Sequence, residues 1–157
     1  MIDPYTTADA MEASALHRHA DLRADGRDHA KPIPAKIAGK TPGSPAEWAF
    51  QRVILQLKAF EDALDAEHVT AMGFAGGPPG VLRIRGVGFS APDLVTFSGI
   101  DEQGNAVQLI QHVSQLNVLL RAVPKPADQP EPERIGFRLV RALEAPDKTE
   151  PPTDGTS

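Results

Sequence analysis

Residues Leu94–Lys125 read LVTFSGIDEQGNAVQLIQHVSQLNVLLRAVPK, and how this stretch folds decides the architecture. Leu94–Ile100 and Ala106–His112 alternate apolar and polar side chains at the period of a half-buried strand. Between them, Asp101-Glu102-Gln103-Gly104-Asn105 supplies the residue types that reverse a chain, which makes an antiparallel hairpin. The next segment, residues 113–123, fits two patterns. Val113, Leu116, Leu120 and Val123 are spaced for a helix starting near Ser114, whereas Val118, Leu120 and Ala122 alternate as in a strand. The helix is the reading carried into the expected topology.

Upstream, Ser44-Pro45-Ala46-Glu47 has the form of a capping box with proline at the first helical position. Phe50, Val53, Ile54, Leu57, Phe60 and Leu64 then recur at three- and four-residue steps, predicting an amphipathic helix over 45–66. The spacing is also heptad-like, and Trp48 and Leu55 fall off the stripe, so homo-oligomer formation through this helix is expected. The plainer alternative is packing on the protein's own sheet. His68–Ala75 and Val81–Phe89 read as two further strands, separated by the breaker run Gly76-Gly77-Pro78-Pro79-Gly80. In Val81–Phe89, Leu82 and Ile84 share one face and Arg83 and Arg85 the other, while Gly86 and Gly88 suggest a bulge or a close backbone approach. Arg134–Arg141 reads as a last strand with Ile135, Phe137 and Leu139 inward. The expected class is α+β: an antiparallel sheet of about five strands with the N-terminal amphipathic helix and a second helix covering one face, in the order α-β-β-β-β-α-β.

Residues 1–43 mix Ala, Asp, Arg, His, Lys and Pro with few large apolar groups, a composition that buries too little surface to offset its ordering entropy. They are expected to form a disordered or weakly helical tail, with a short helix near Ala8–Leu22. Residues 144–157 read as a disordered acidic tail, leaving 44–143 as the folded domain.

Composition narrows the function. The net charge of −5 argues against general nucleic-acid binding, which wants a basic excess. The absence of cysteine excludes a disulfide scaffold, a zinc–thiolate site and a cysteine nucleophile. No signal peptide or membrane-spanning run is visible, so a soluble cytoplasmic protein is expected. No complete catalytic or metal motif is present, and no cofactor or metal is expected. The candidate ligand-binding set is polar: Arg83, Arg85, Thr96 and Ser98 opposite the core, Gln108 and His112 on one face of the next strand, and Arg138 on the last. Two arginines at i and i+2 of a strand point the same way and can share an anion. An ordinary solvated sheet face is the plain alternative. GFAGGPPG (73–80) offers backbone amides to a phosphate but lacks the Lys-Ser/Thr of a P-loop, so a hairpin connection is the simpler reading. His17, His19 and His29 offer at most weak metal contact, and His68 beside Glu61, Asp62, Asp65 and Glu67 reads as a solvated helix end. Ser114 beside His112 would need an orienting acid to act as a nucleophile; no GxSxG elbow supports it, and a cap is the simpler role.

The segments SPAEWAFQRVILQLKAFEDALD, SGIDEQGNAVQLIQHVSQLNVLLRAVPK and RIGFRLV, with QLIQHVSQLNVLLRAVPKP the most recognisable, resemble a family of small uncharacterised bacterial and prophage-associated proteins carrying a domain of unknown function. The resemblance covers about residues 44–141 and carries no catalytic residues with it. By analogy with small phage proteins, it implies sequestering a ligand or blocking a host protein. Three functions are expected on these grounds. The first is a non-enzymatic, oligomeric binding protein that sequesters an anionic, nucleotide-like small molecule, phage-borne and directed at host signalling. The others are a protein–protein inhibitor or adaptor, and a nucleotide-processing hydrolase with His112 as base.

Overall fold

The structure, a computed structural model, describes residues 19–74 and 80–145. The chain divides into two compact units between Thr41 and Pro42. In the first, Leu22 and Asp28 form an isolated antiparallel bridge, and Ala35–Ala38 makes a single helical turn in which Ile37 is buried. The helix expected near Ala8–Leu22 falls outside the described residues up to 18, as do the Gly76–Pro79 connection and the acidic tail beyond 145.

The second unit is α+β, with two helices and five antiparallel strands in two small sheets. Helix α1 spans Pro45–Asp62 and starts as its sequence dictates: the Ser44 hydroxyl accepts the Glu47 N–H at 3.1 Å. The Glu47 carboxylate reaches one residue further back than a capping box requires, accepting from the Gly43 N–H. The Pro92 carbonyl accepts the Ala46 N–H, so the turn between two strands helps close the helix end. Ala46, Ala49, Ile54 and Leu57 are buried. The apolar stripe of α1 is therefore used inside the chain.

Strands β1 (His68–Phe74), β2 (Arg83–Ser90), β3 (Leu94–Ile100) and β4 (Ala106–His112) follow the sequence expectation closely. β2, β3 and β4 form a meander. Its inner face carries Val95 and Phe97, both fully buried, with Phe50 packed at a tilt against Phe89 at 4.9 Å and Phe74 against Phe97 at 5.0 Å between ring centroids. The expected bulge is present. Ile84 faces Gly99 and Gly86 faces Ser98, so Arg85 is the extra residue of β2. Without it Ile84 and Val87, three residues apart, would lie on opposite faces. With it, Ile84, Val87 and Phe89 all turn to the core. Gly88 answers the other expectation, since a Cβ there would sit 2.7 Å from the Thr96 hydroxyl.

Two elements differ from the expected order. Residues 113–123 form a 3-10 turn, Val113–Gln115, and then strand β5, Val118–Pro124, rather than a helix. β1 pairs with β5 along its whole length, from His68↔Pro124 to Phe74↔Val118. The strand alternation wins because it puts Val118 and Leu120 against the core beside Met72. Ile135–Glu144 is helix α2, not a final strand, which makes the order α-β-β-β-β-β-α. Its sequence satisfies both periods, and docking decides between them. Gly136 lies so close to α1 that a Cβ would fall 2.8 Å from Lys58 Cα. Gly136 and Val140 are buried, whereas Phe137, expected inward, is 52% exposed.

Leu57 is 1% exposed at the centre of the α1 stripe. Leu57→Ala should therefore cost about 2–5 kcal/mol in chemical denaturation, the range for a deleted core leucine. A cost below ~0.5 kcal/mol, typical of a surface site, would contradict this packing.

Candidate functional site

The sequence-predicted polar residues separate into three groups. Thr96 faces Ile110 and Ser98 faces Gln108 across β3 and β4, so Thr96, Ser98 and Gln108 lie on the face away from the core. On β2 their neighbours are Gly88 and Gly86, which leaves a flat face of small side chains.

His112 stands apart at the end of β4. Its Nε2 lies 3.0 Å from Asp93 Oδ2, and its Nδ1 lies 2.7 Å from Ser114 Oγ. The Ser114 N–H also donates to Nδ1 at 3.1 Å. This fixes the tautomer: Nε2–H donates to Asp93, and Nδ1 is the acceptor. The orienting acid that the sequence did not reveal is thus Asp93, held in place where its carbonyl accepts the Val113 N–H. The same contacts cap the 3-10 turn, but the N-cap is His112 and not Ser114, the cap expected from sequence.

The arginines form the third group. Arg83 and Arg85 both line a cleft of about 30 Å³ with Glu61, Val69, Thr70, Ile84, Gln129, Glu133 and Ile135. The bulge sets Arg85 at 2.6 Å from Glu133 Oε2. Arg138, on α2 rather than on a strand, reaches the other oxygen of Glu133 at 3.5 Å. One carboxylate therefore serves two of the candidate arginines. Arg83 differs: among the described residues it has no hydrogen-bond or ion-pair partner.

Two further residues that line this cleft hold unsatisfied polar atoms. Thr70 Oγ1 and Gln129 Oε1 are buried without a hydrogen-bond partner, a costly state that calls for a water or a ligand. Glu61, 4% exposed, spends Oε2 on the Gly136 N–H at 2.8 Å. It thereby accepts from the first turn of α2, whose own N-cap Arg134 supplies no side-chain bond. Burial pushes the Glu61 carboxyl above its ordinary value, against the opposing pull of the Gly136 N–H and the Arg134 charge. Sequence reasoning missed Thr70, Gln129 and Glu133, for which no local signal exists. Glu61 had one, because an acid four residues after Leu57 falls inside the apolar stripe.

A second cavity, of about 330 Å³, lies where Phe74, Leu82, Val107 and Leu109 meet the Asp101–Gln103 turn. Its rim is acidic and its floor apolar, the wrong chemistry for an anion. Among the described residues no three His, Asp or Glu side chains converge on a metal position, and no helix is long and apolar enough to cross a membrane.

A family model matches residues 45–138, from the first residue of α1 into α2. The chain belongs to DUF6173, a family of unknown function. No curated protein and no solved structure matches it. The match to DUF6173 spans every strand and the Arg83 cleft, while the unit ending at Thr41 lies outside it.

The raised Glu61 carboxyl has a stability consequence. A group protonated more readily in the folded than the unfolded chain favours folding below its unfolded value and loses that contribution as pH rises through its folded value. Stability should therefore fall as pH rises from 4.5, the ordinary value. Glu61→Gln, which keeps an acceptor for Gly136, should flatten that fall in urea melts across the pH series. An unchanged pH profile would contradict the assignment.

Proposed function

We propose that this protein is a non-enzymatic binding protein that sequesters a small anionic, nucleotide-like molecule by seating one of its anionic groups in the Arg83 cleft. The observation that carries this reading is the unpaired Arg83 guanidinium beside two buried, unsatisfied groups, Thr70 Oγ1 and Gln129 Oε1. A guanidinium and a hydroxyl donate to an oxyanion, and the Gln129 amide can present its NH₂ end to complete a three-point cradle. The volume of about 30 Å³ suits the oxygens of one carboxylate or phosphoryl group, so the remainder of the ligand lies outside. Glu133 has its two oxygens engaged by Arg85 and Arg138, which leaves Arg83 for the ligand. In keeping with the sequence resemblance, the protein is read as phage- or prophage-associated and cytoplasmic, removing a host signalling nucleotide.

The test is titration calorimetry of the full chain with ADP and with inorganic pyrophosphate, in parent and in Arg83→Gln. Loss of a charge-assisted hydrogen bond should weaken binding by about 1.5–3 kcal/mol, and binding should weaken as salt rises. The fold of Arg83→Gln should be unchanged. Equal affinity in both proteins would overturn the role of Arg83.

One observation favours a second reading, a hydrolase. Asp93, His112 and Ser114 have the connectivity of an acid–base–nucleophile relay, with His112 Nδ1 placed to take the Ser114 proton. The Ser114 N–H competes for the same nitrogen, and the relay opens into neither the Arg83 cleft nor the cavity beside the Asp101–Gln103 turn. A fluorophosphonate probe should label Ser114 in the parent and not in Ser114→Ala if this reading holds. Absence of labelling reduces the cluster to a cap.

A further inference from the structure

β4 is an edge strand of the meander. It pairs with β3 on one side, and no described segment pairs with the other. Edge strands expose a row of unpaired N–H and C=O groups, and proteins protect them with charge, proline or bulges. β5 carries Arg121 and Pro124, and β2 carries its bulge. β4 reads AVQLIQH, with no charge at neutral imidazole, no proline and no register break over seven residues. Ile110 on this strand is 60% exposed and Val107 37%. An uncharged edge with an exposed branched side chain one residue past its centre is a surface built to pair.

We propose that two copies of this chain pair their β4 strands antiparallel about a two-fold axis at Ile110, fusing two three-stranded sheets into one of six strands. The register is set by the pleat. Residues facing each other across a seam must point to the same face, so an axis of this kind passes through a residue rather than between two. Centring on Ile110 sets the most exposed apolar side chain of the strand against its own copy. Gln108 and His112 then face each other on both sides of it, giving an apolar centre with polar flanks. Such a patch is self-complementary, as a two-fold interface requires. The occupant is a second copy because nothing on β4 would bring like charges together. The stripe of α1, expected from sequence to form the oligomer, is already spent on the core through Ile54 and Leu57. This inference is independent of the Arg83 reading, since no cleft residue lies on β4.

The chain contains no cysteine, so Ile110→Cys places one thiol per chain on the proposed axis. Facing Cα atoms in an antiparallel pair are about 4.5–5.5 Å apart, within disulfide reach. The parent should sediment as a dimer, and Ile110→Cys should give a covalent dimer under mild oxidation. Gln103→Cys, in the β3–β4 turn, should cross-link far more slowly. Ile110→Lys should sediment as a monomer with an unchanged circular-dichroism spectrum; if it misfolds, the cross-linking comparison decides. A monomeric parent, a dimer that survives in folded Ile110→Lys, or Ile110→Cys cross-linking no faster than Gln103→Cys would each overturn the proposal.

Discussion

The bulge at Arg85 is the constraint on which the fold and the cleft both rest. A strand of strict alternation cannot send Ile84, Val87 and Phe89 to one face, yet all three pack against the core. One extra residue corrects the parity, and the cost of an interrupted ladder is offset by three apolar side chains kept from water. The same residue carries the guanidinium that meets Glu133. A single backbone irregularity thus completes the core and ties β2 to the segment that leads into α2.

α2 is positioned by a second close contact. Gly136 lets its first turn approach α1 within a distance that any side chain would block. Glu61 then accepts the Gly136 N–H in place of a local cap. The cleft opens where this helix junction meets β1 and β2, so its polar residues come from segments far apart in sequence. That origin explains why Thr70 and Gln129 are buried and unsatisfied together: the backbone that carries them is fixed by strand pairing and helix docking, not by the polar contacts themselves.

Much of this fold was legible in the sequence. Ser44-Pro45 and the 50–53–57 spacing place α1 to within a few residues, and the turn residues place β3 and β4. Glycines 86 and 88 signalled both the bulge and the tight approach to Thr96. The failures occur where one stretch satisfies two periods. Val113–Val123 fits both patterns and is expected as helix, Ile135–Leu139 is expected as strand, and long-range partners decide otherwise: β1 for the first, α1 through Gly136 for the second. The site was legible only in part. Alternation singled out Arg83 and Arg85, which line one cleft, although Arg85 reaches it as the bulge residue and not by alternation; register sets Ser98 opposite Gln108. Glu133, Thr70 and Gln129 join Arg83 only through tertiary packing, which no local pattern announces.

On the proposed function, Arg83 is held ready for an anion, since no carboxylate among the described residues pairs with it. Native mass spectrometry of the full chain taken gently from cells, followed by denaturation and identification of released small molecules, reads this out without a prior choice of ligand. A phosphorylated or carboxylated molecule should leave the parent and be missing from Arg83→Gln prepared in parallel. A parent that carries no such molecule, and gains none when ADP or pyrophosphate is added to saturation, would contradict the binding role of the cleft.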